Sequence, residues 1–215
     1  MGRAIIERLH TKHTCIAIAR PSAELDQLKT DFMCMAYTAN VGNPEEITAT
    51  IQKIQEAHGP IDVLINSAGI WIDGPLEDND LSTIQQAVEI NILGTLYATR
   101  AVIPQMKERQ SGFIINIGSQ AGLRAKAERS TYTATKWAIT GFTRSVSEEL
   151  GPYNIRVTAL YPGTTDTSFF SRAGSDKDLS KALKVEQIAD TVEWLISLPP
   201  HVTISDLGIK STLKG

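Results

Sequence analysis

Tyr132 and Lys136 stand four residues apart in a stretch patterned as a helix, so both side chains lie on one face and can serve one site. A phenol titrates near pH 10, roughly, and a neighbouring ammonium favours its ionised form, so this pair could move a proton. On an exposed helix the same residues would be two solvated side chains, and the spacing alone recurs by chance. Ser119 sharpens the choice, because it follows an apolar run over residues 113–117, at the carboxyl end of a predicted strand where open α/β sheets bind ligands. Asn66-Ser-Ala-Gly69 follows a predicted strand over 63–65 in the same way. Its small residues would let backbone approach a ligand closely, although a plain tight turn has the same composition. Pro162-Gly163 closes a third strand, with the hydroxyls of Thr164, Thr165 and Thr167 just beyond. Three strands are thus expected to end at one rim.

The elements that must position these groups alternate between short β-rich runs and longer amphipathic segments, the pattern of βαβ units around a parallel sheet covered on both faces. Strands are predicted over residues 14–19, 33–38, 63–65, 113–117, 156–160 and 204–209. Helices are predicted over 3–10, 23–29, 44–57, 81–107, 131–150 and 185–198. Asn43-Pro44-Glu45-Glu46 is a strong helix start: Asn can cap free amides, Pro tolerates the first turn, and the acids favour the positive end of the helix. The runs Val63-Leu-Ile and Phe113-Ile-Ile-Asn-Ile are almost continuously apolar, as in strands buried on both faces.

A chain of 215 residues can bury one sizeable core, and no composition break divides it, so a single domain is expected. With 42% hydrophobic and 21% charged residues and a formal net charge of -3, there is no electrostatic case for nucleic acid. No apolar stretch reaches the roughly 20 residues of a spanning helix, and no signal core is seen; secretion and membrane insertion are not expected. Cys15 and Cys34 sit in apolar runs and read as free thiols of a cytoplasmic protein. His10, His13, His58 and His201 are scattered, so no metal is expected.

Taken in order, Asn66-Ser-Ala-Gly, Asn91, Ser119, Tyr132-Thr-Ala-Thr-Lys136 and Pro162-Gly-Thr-Thr-Asp-Thr167 resemble the motif series of the short-chain dehydrogenase/reductase family. The resemblance covers nearly the whole chain. It implies a Rossmann-type, doubly wound parallel sheet in three α/β/α layers, and NAD(P)-dependent interconversion of an alcohol and a carbonyl. It further implies that Tyr132 is the general acid in reduction and that Lys136 holds the nicotinamide ribose while tuning the phenol. Ser119 would bind the substrate oxygen, and Asn91 would hold the water that links Lys136 to solvent. A local helix kink with no chemistry is the other reading of Asn91.

The family's cofactor contacts carry over to Gly2, Arg20, Asn40, Val41, Asn66, Ala68, Gly69, Tyr132, Lys136, Pro162, Gly163, Thr165 and Thr167. Arg20 ends the first predicted strand, where an acid would accept the ribose hydroxyls of NAD and a base accommodates the 2′-phosphate of NADP. NADP(H) is therefore favoured over NAD(H), against the plainer reading of a solvated surface charge. Asn40-Val41 stands where the family usually has Asp-Val beside the adenine. The family opens with a strand and a glycine-rich turn. Only Gly2 of that motif is seen, so the first strand reads as missing and the domain as incomplete at its N-terminus. That strand is expected between those bearing Cys15 and Val63, where its loss would leave a gap.

Residues 164–184, with Phe169 and Phe170, read as a mobile lid over the substrate, and Trp71 and Ile72 as the opposite wall, although the two phenylalanines could equally be packing residues. The helices over 81–107 and 131–150 resemble those through which family members form homodimers or homotetramers. Two other functions are weighed: a non-catalytic dinucleotide-binding protein, and an oligomer-forming protein with impaired cofactor binding.

Overall fold

The computed structural model describes residues 1–176 and 178–213. Side-chain caps start several helices. Ser22 accepts from the Leu25 amide to open α2 (Ala23–Phe32), and Asn43 accepts from the Glu46 amide to open α3 (Pro44–His58). The remaining long helices are α1 (Gly2–Leu9), α4 (Leu81–Val88), α5 (Gly94–Arg109), α6 (Ser130–Leu150) and α8 (Val185–Ser197), with a single turn α7 (Ser168–Ser171). Strands β1 (Ile16–Ala19), β2 (Met35–Thr38), β3 (Val63–Asn66), β4 (Gly112–Ile117), β5 (Ile155–Pro162) and β8 (Asp206–Ile209) all pair in parallel. A short extra pair, β6 (Thr165–Asp166) with β7 (Leu183–Lys184), lies outside the main sheet.

Several boundaries differ from those expected, two of them with a clear local cause. The strand expected from residue 33 begins at Met35, because Met33 adopts a left-handed conformation (φ 49°) that ends α2. The helix expected over 81–107 is three pieces: α4, a π turn over Glu89–Leu93, and α5. Asn91 lies in that π turn, a widening of the helix of a kind common at functional sites.

Strand β4 shows why the layers form. Phe113, Ile115 and Ile117 point to one face and pack with Ile5 and Leu9 of α1 and Ile188, Val192 and Leu195 of α8. Ile114 points to the other and packs with Ile47 and Ile51 of α3, Val102 and Met106 of α5, and Val146 and Leu150 of α6. The result is a three-layer, Rossmann-type α/β/α domain. Its sheet is in two parts, β1-β2 and β3-β4-β5-β8, with no strand pairing between them among the described residues. β3 is only half-buried, whereas β4 beside it is almost wholly buried.

Candidate active site

Parallel pairing sends the carboxyl ends of β3, β4 and β5 to one rim, and each delivers a loop predicted to carry chemistry. After β4, Ser119 turns into a short helical turn over Gln120–Gly122, its Oγ accepting from the Ala121 amide at 3.1 Å. This turn rests on α6. Tyr132 and Lys136 occupy the inner face of α6 and are 4% and 5% exposed, so both are removed from bulk water.

Burial dominates their electrostatics. It pushes the Tyr132 phenol up to about 12, with the Ser119 hydroxyl and then the Arg129 charge pulling the other way. It pulls the Lys136 ammonium down to about 8. Lys136 Nζ donates to the Ile117 carbonyl oxygen at 3.2 Å, and no carboxylate pairs with it among the described residues. A buried cation with donors to spare is costly for a free protein and is ready to receive a polar ligand.

Asn91 comes from the π turn and is 1% exposed. Its Oδ1 accepts from the Ile70 amide at 2.7 Å, and its Nδ2 donates to the Ile70 carbonyl at 3.0 Å and to Thr135 Oγ1 at 3.2 Å. The amide thus latches the loop after β3 onto α6. A Cβ on Gly69 would come 3.2 Å from Asn91 Oδ1 and 3.9 Å from Lys136 Nζ, so a side chain there would crowd both.

Trp71, Phe169 and Phe170 close over the phenol. The Trp71 and Tyr132 rings are 4.5 Å apart between centroids, Trp71 and Phe170 5.0 Å, and Tyr132 and Phe169 6.2 Å. Ile72 is buried in the same cluster. The segment over 164–184 is tied at its base by β6 and β7 and by Lys184 to Asp166 at 2.7 Å, and across to α2 by Arg172 to Glu24 at 2.8 Å.

The remaining predicted positions are spread along the rim. Arg20 is exposed just past β1 and forms no ion pair among the described residues. Asn40 accepts from the Gly42 amide, and Val41 fills the space beside Gly94, where a Cβ would meet it at 2.8 Å. Gly2 begins α1 against Ser67, whose Oγ a Cβ would approach to 3.2 Å. Pro162 is buried at the end of β5, and the Gly163 amide donates to Ile209. Thr165 Oγ1 donates to the Gly163 carbonyl, while Thr167 caps α7 and Thr164 is half-buried. Ala68 is exposed. The Asn66 side chain turns inward to Thr99 and Asn116, and Asn116 continues to Thr143, a buried polar chain absent from the sequence reading.

The fit between the Ser119 turn and α6 is tight at Gly122. A Cβ there would lie 2.8 Å from the Lys136 carbonyl oxygen and 2.7 Å from Thr140 Oγ1. Gly122→Ala is expected to cost about 1–3 kcal/mol and to move Ser119 away from Tyr132. A thermal melt beside a rate measurement checks both, and an unchanged melting temperature would refute the tight fit.

Comparison with known proteins agrees with this geometry. The short chain dehydrogenase family matches residues 1–178. An uncharacterized oxidoreductase of Staphylococcus aureus strain USA300 is 30% identical over 98% of this chain and 92% of its own. Another, from Staphylococcus saprophyticus, is 32% identical over 80% of this chain and 72% of its own. Among solved structures, the closed form of serine dehydrogenase complexed with NADP+ superposes with a TM-score of 0.93 at 29% identity, covering 100% of this chain and 92% of that one. An alcohol dehydrogenase from the archaeon Thermococcus sibiricus, complexed with 5-hydroxy-NADP, gives 0.90 at 25% identity over 99% and 92%. The match over most of the sequence, on a three-layer α/β/α fold with a parallel sheet, places the chain in the short-chain dehydrogenase family of oxidoreductases.

Proposed function

We propose that the protein interconverts an alcohol and a carbonyl, with Tyr132 as the general acid of reduction and the base of oxidation, and that it prefers NADP(H) to NAD(H). The observation that carries this reading is the pairing of a buried phenol with a buried ammonium that has no carboxylate partner among the described residues, on one helix face beside a serine hydroxyl. The residues also suit a dinucleotide. Lys136 has unused donors for a ribose diol, Gly69 keeps space that a Cβ would fill, and α1 begins without a side-chain cap, leaving its first amides free. When bound, the nicotinamide supplies hydride to the carbonyl carbon.

The chain's own groups do the rest. Ser119 and Tyr132 bind the carbonyl oxygen, Tyr132 donates its phenolic proton there, and the charge of Lys136 stabilises the phenolate left behind. Asn91 holds the loop bearing Gly69 and Ile70 beside Lys136, where water held near Asn91 returns the proton. The aromatic cover of Trp71, Phe169 and Phe170 excludes other water from the reacting atoms.

Arg20 supports the NADP(H) preference by its charge at the end of β1, and two similar structures are NADP-type complexes. Free Cys15 and Cys34 suit a cytoplasmic setting; no described helix is long and apolar enough to cross a membrane. Trp137 on α6 and Leu81 on α4 are exposed, which supports a homodimer or homotetramer built on this side of the domain.

Titration with NADPH and NADH, followed by nicotinamide fluorescence, tests the reading. NADPH is expected to bind more tightly, and Arg20→Asp to weaken NADPH by about tenfold or more while sparing NADH. Failure of both cofactors to bind would sink the oxidoreductase reading. An unchanged preference in the variant would remove Arg20 from the selection.

A further inference from the structure

We propose that Arg129 sets the substrate class: the site takes carbonyl compounds carrying a carboxylate a few bonds from the reacting carbon, and the Arg129 guanidinium receives that carboxylate. The inference rests on the oxidoreductase reading of the Tyr132 centre and extends it.

Arg129 immediately precedes α6 and makes no side-chain cap, so its guanidinium is not spent on the helix. The guanidinium carbon lies 5.2 Å from the centroid of the Trp71 ring, and that ring lies 4.5 Å from Tyr132. Cation and phenol therefore rest against one indole. The Arg129 charge is felt at Tyr132, where it opposes the upward push of burial.

No carboxylate pairs with Arg129 among the described residues, although Asp73 and Glu128 are close in the two loops concerned; both are exposed. The backbone around it is held in place. Glu128 adopts a left-handed conformation (φ 59°), uncommon for a residue with a side chain, and its carbonyl accepts from the Gly74 amide at 2.8 Å. Asn79 ties the same loops together, donating to the Asp73 carbonyl at 3.0 Å and accepting from Thr131 Oγ1 at 3.1 Å. The strained turn thus holds Arg129 beside the loop that carries Trp71.

A guanidinium over an aromatic ring gives up none of its N–H donors to a hydrogen bond there, and its planar fork matches the two oxygens of a carboxylate. The neighbouring walls, Trp71, Phe169 and Phe170, are apolar, and with Lys136 assigned to the phenol and the ribose, Arg129 is left as the cation on the Trp71 side of the cluster. A single positive charge suits a singly charged carboxylate. Such a substrate would be gripped at two points, its carbonyl oxygen by Ser119 and Tyr132 and its carboxylate by Arg129.

The test compares acetoacetate with its methyl ester, in turnover with NADPH and in calorimetric binding, for the unaltered chain, Arg129→Gln and Arg129→Lys. The unaltered chain should favour the acid, and Arg129→Gln should cut the acid-to-ester ratio of kcat/KM by about 10–100-fold, chiefly through KM. Arg129→Lys should recover part of the ratio. An unchanged ratio with equal loss on both substrates, or a shifted pH profile alone, would make Arg129 a tuner of Tyr132 and overturn the proposal. Arg129-dependent binding of the acid without turnover would bring down the oxidoreductase reading and leave the selection standing. Binding of neither compound, or equal binding of both, overturns it.

Discussion

Replacing Tyr132 with phenylalanine is expected to lower the rate of carbonyl reduction by about 10²- to 10⁴-fold, the range supplied by a positioned general acid. The substitution removes one oxygen and leaves the ring to pack against Trp71 and Phe169, so the cover over the site should persist. Burial holds the phenol up at about 12, so in the free protein the group is the protonated acid throughout the neutral range. On the proposed mechanism the variant loses the proton delivered to the developing alkoxide, an interaction made chiefly in the transition state. The fall should therefore appear in kcat and kcat/KM together, with NADPH affinity little changed. Single-turnover kinetics beside a cofactor titration distinguishes the two. A variant that keeps its rate would take the acid role from Tyr132.

Lys136→Met should act in opposite senses on stability and activity. Burial pulls the ammonium down to about 8 from an ordinary value of 10.5. Below about pH 8 folded and unfolded chains both carry the proton, and the folded chain bears the full cost of a buried charge. Between about 8 and 10.5 the unfolded chain still binds a proton that the folded chain has released, so stability rises with pH across that window. At pH 7 the variant should be more stable than the parent by about 2–4 kcal/mol, and the gain should shrink as the pH approaches 10.5. Urea unfolding of the cofactor-free protein at pH 7 and pH 10 measures both values. A variant destabilised at pH 7 would show that the Ile117 contact outweighs the charge. On the proposed roles of Lys136, activity should fall by at least about 100-fold, because the phenolate and the ribose would both lose their cation. In the parent, cofactor affinity should weaken as pH rises through about 8, where Lys136 gives up its charge; the variant should lack that step.

Much of this site was legible in the sequence because its signals are local. The four-residue interval from Tyr132 to Lys136 puts both on one face of any helix, and the apolar run before Ser119 places that serine at a strand end. Helix starts at Ser22 and Asn43 depend on side chains that reach only three residues along the chain. The order of the motifs carried the family.

Other features depend on which distant segments meet. Asn91 stands in a stretch whose composition reads as plain helix; the π turn arises where its side chain bonds Ile70, 21 residues away. Asn66 belongs to a loop that reads as ligand-binding, yet its amide group is drawn inward by Asn116 across the sheet, a partner 50 residues distant. Arg129 is one of several cations in an exposed basic stretch until the loop after β3 brings Trp71 beneath it. Residue types and short-range spacing determined the fold class and the chemistry available, since periodicity, caps and strand ends act within a few residues. Tertiary structure alone decided which amides are latches, which phenol and ammonium are dry, and which cation lies over the Trp71 ring, because burial and long-range pairing are properties of the folded chain's surroundings.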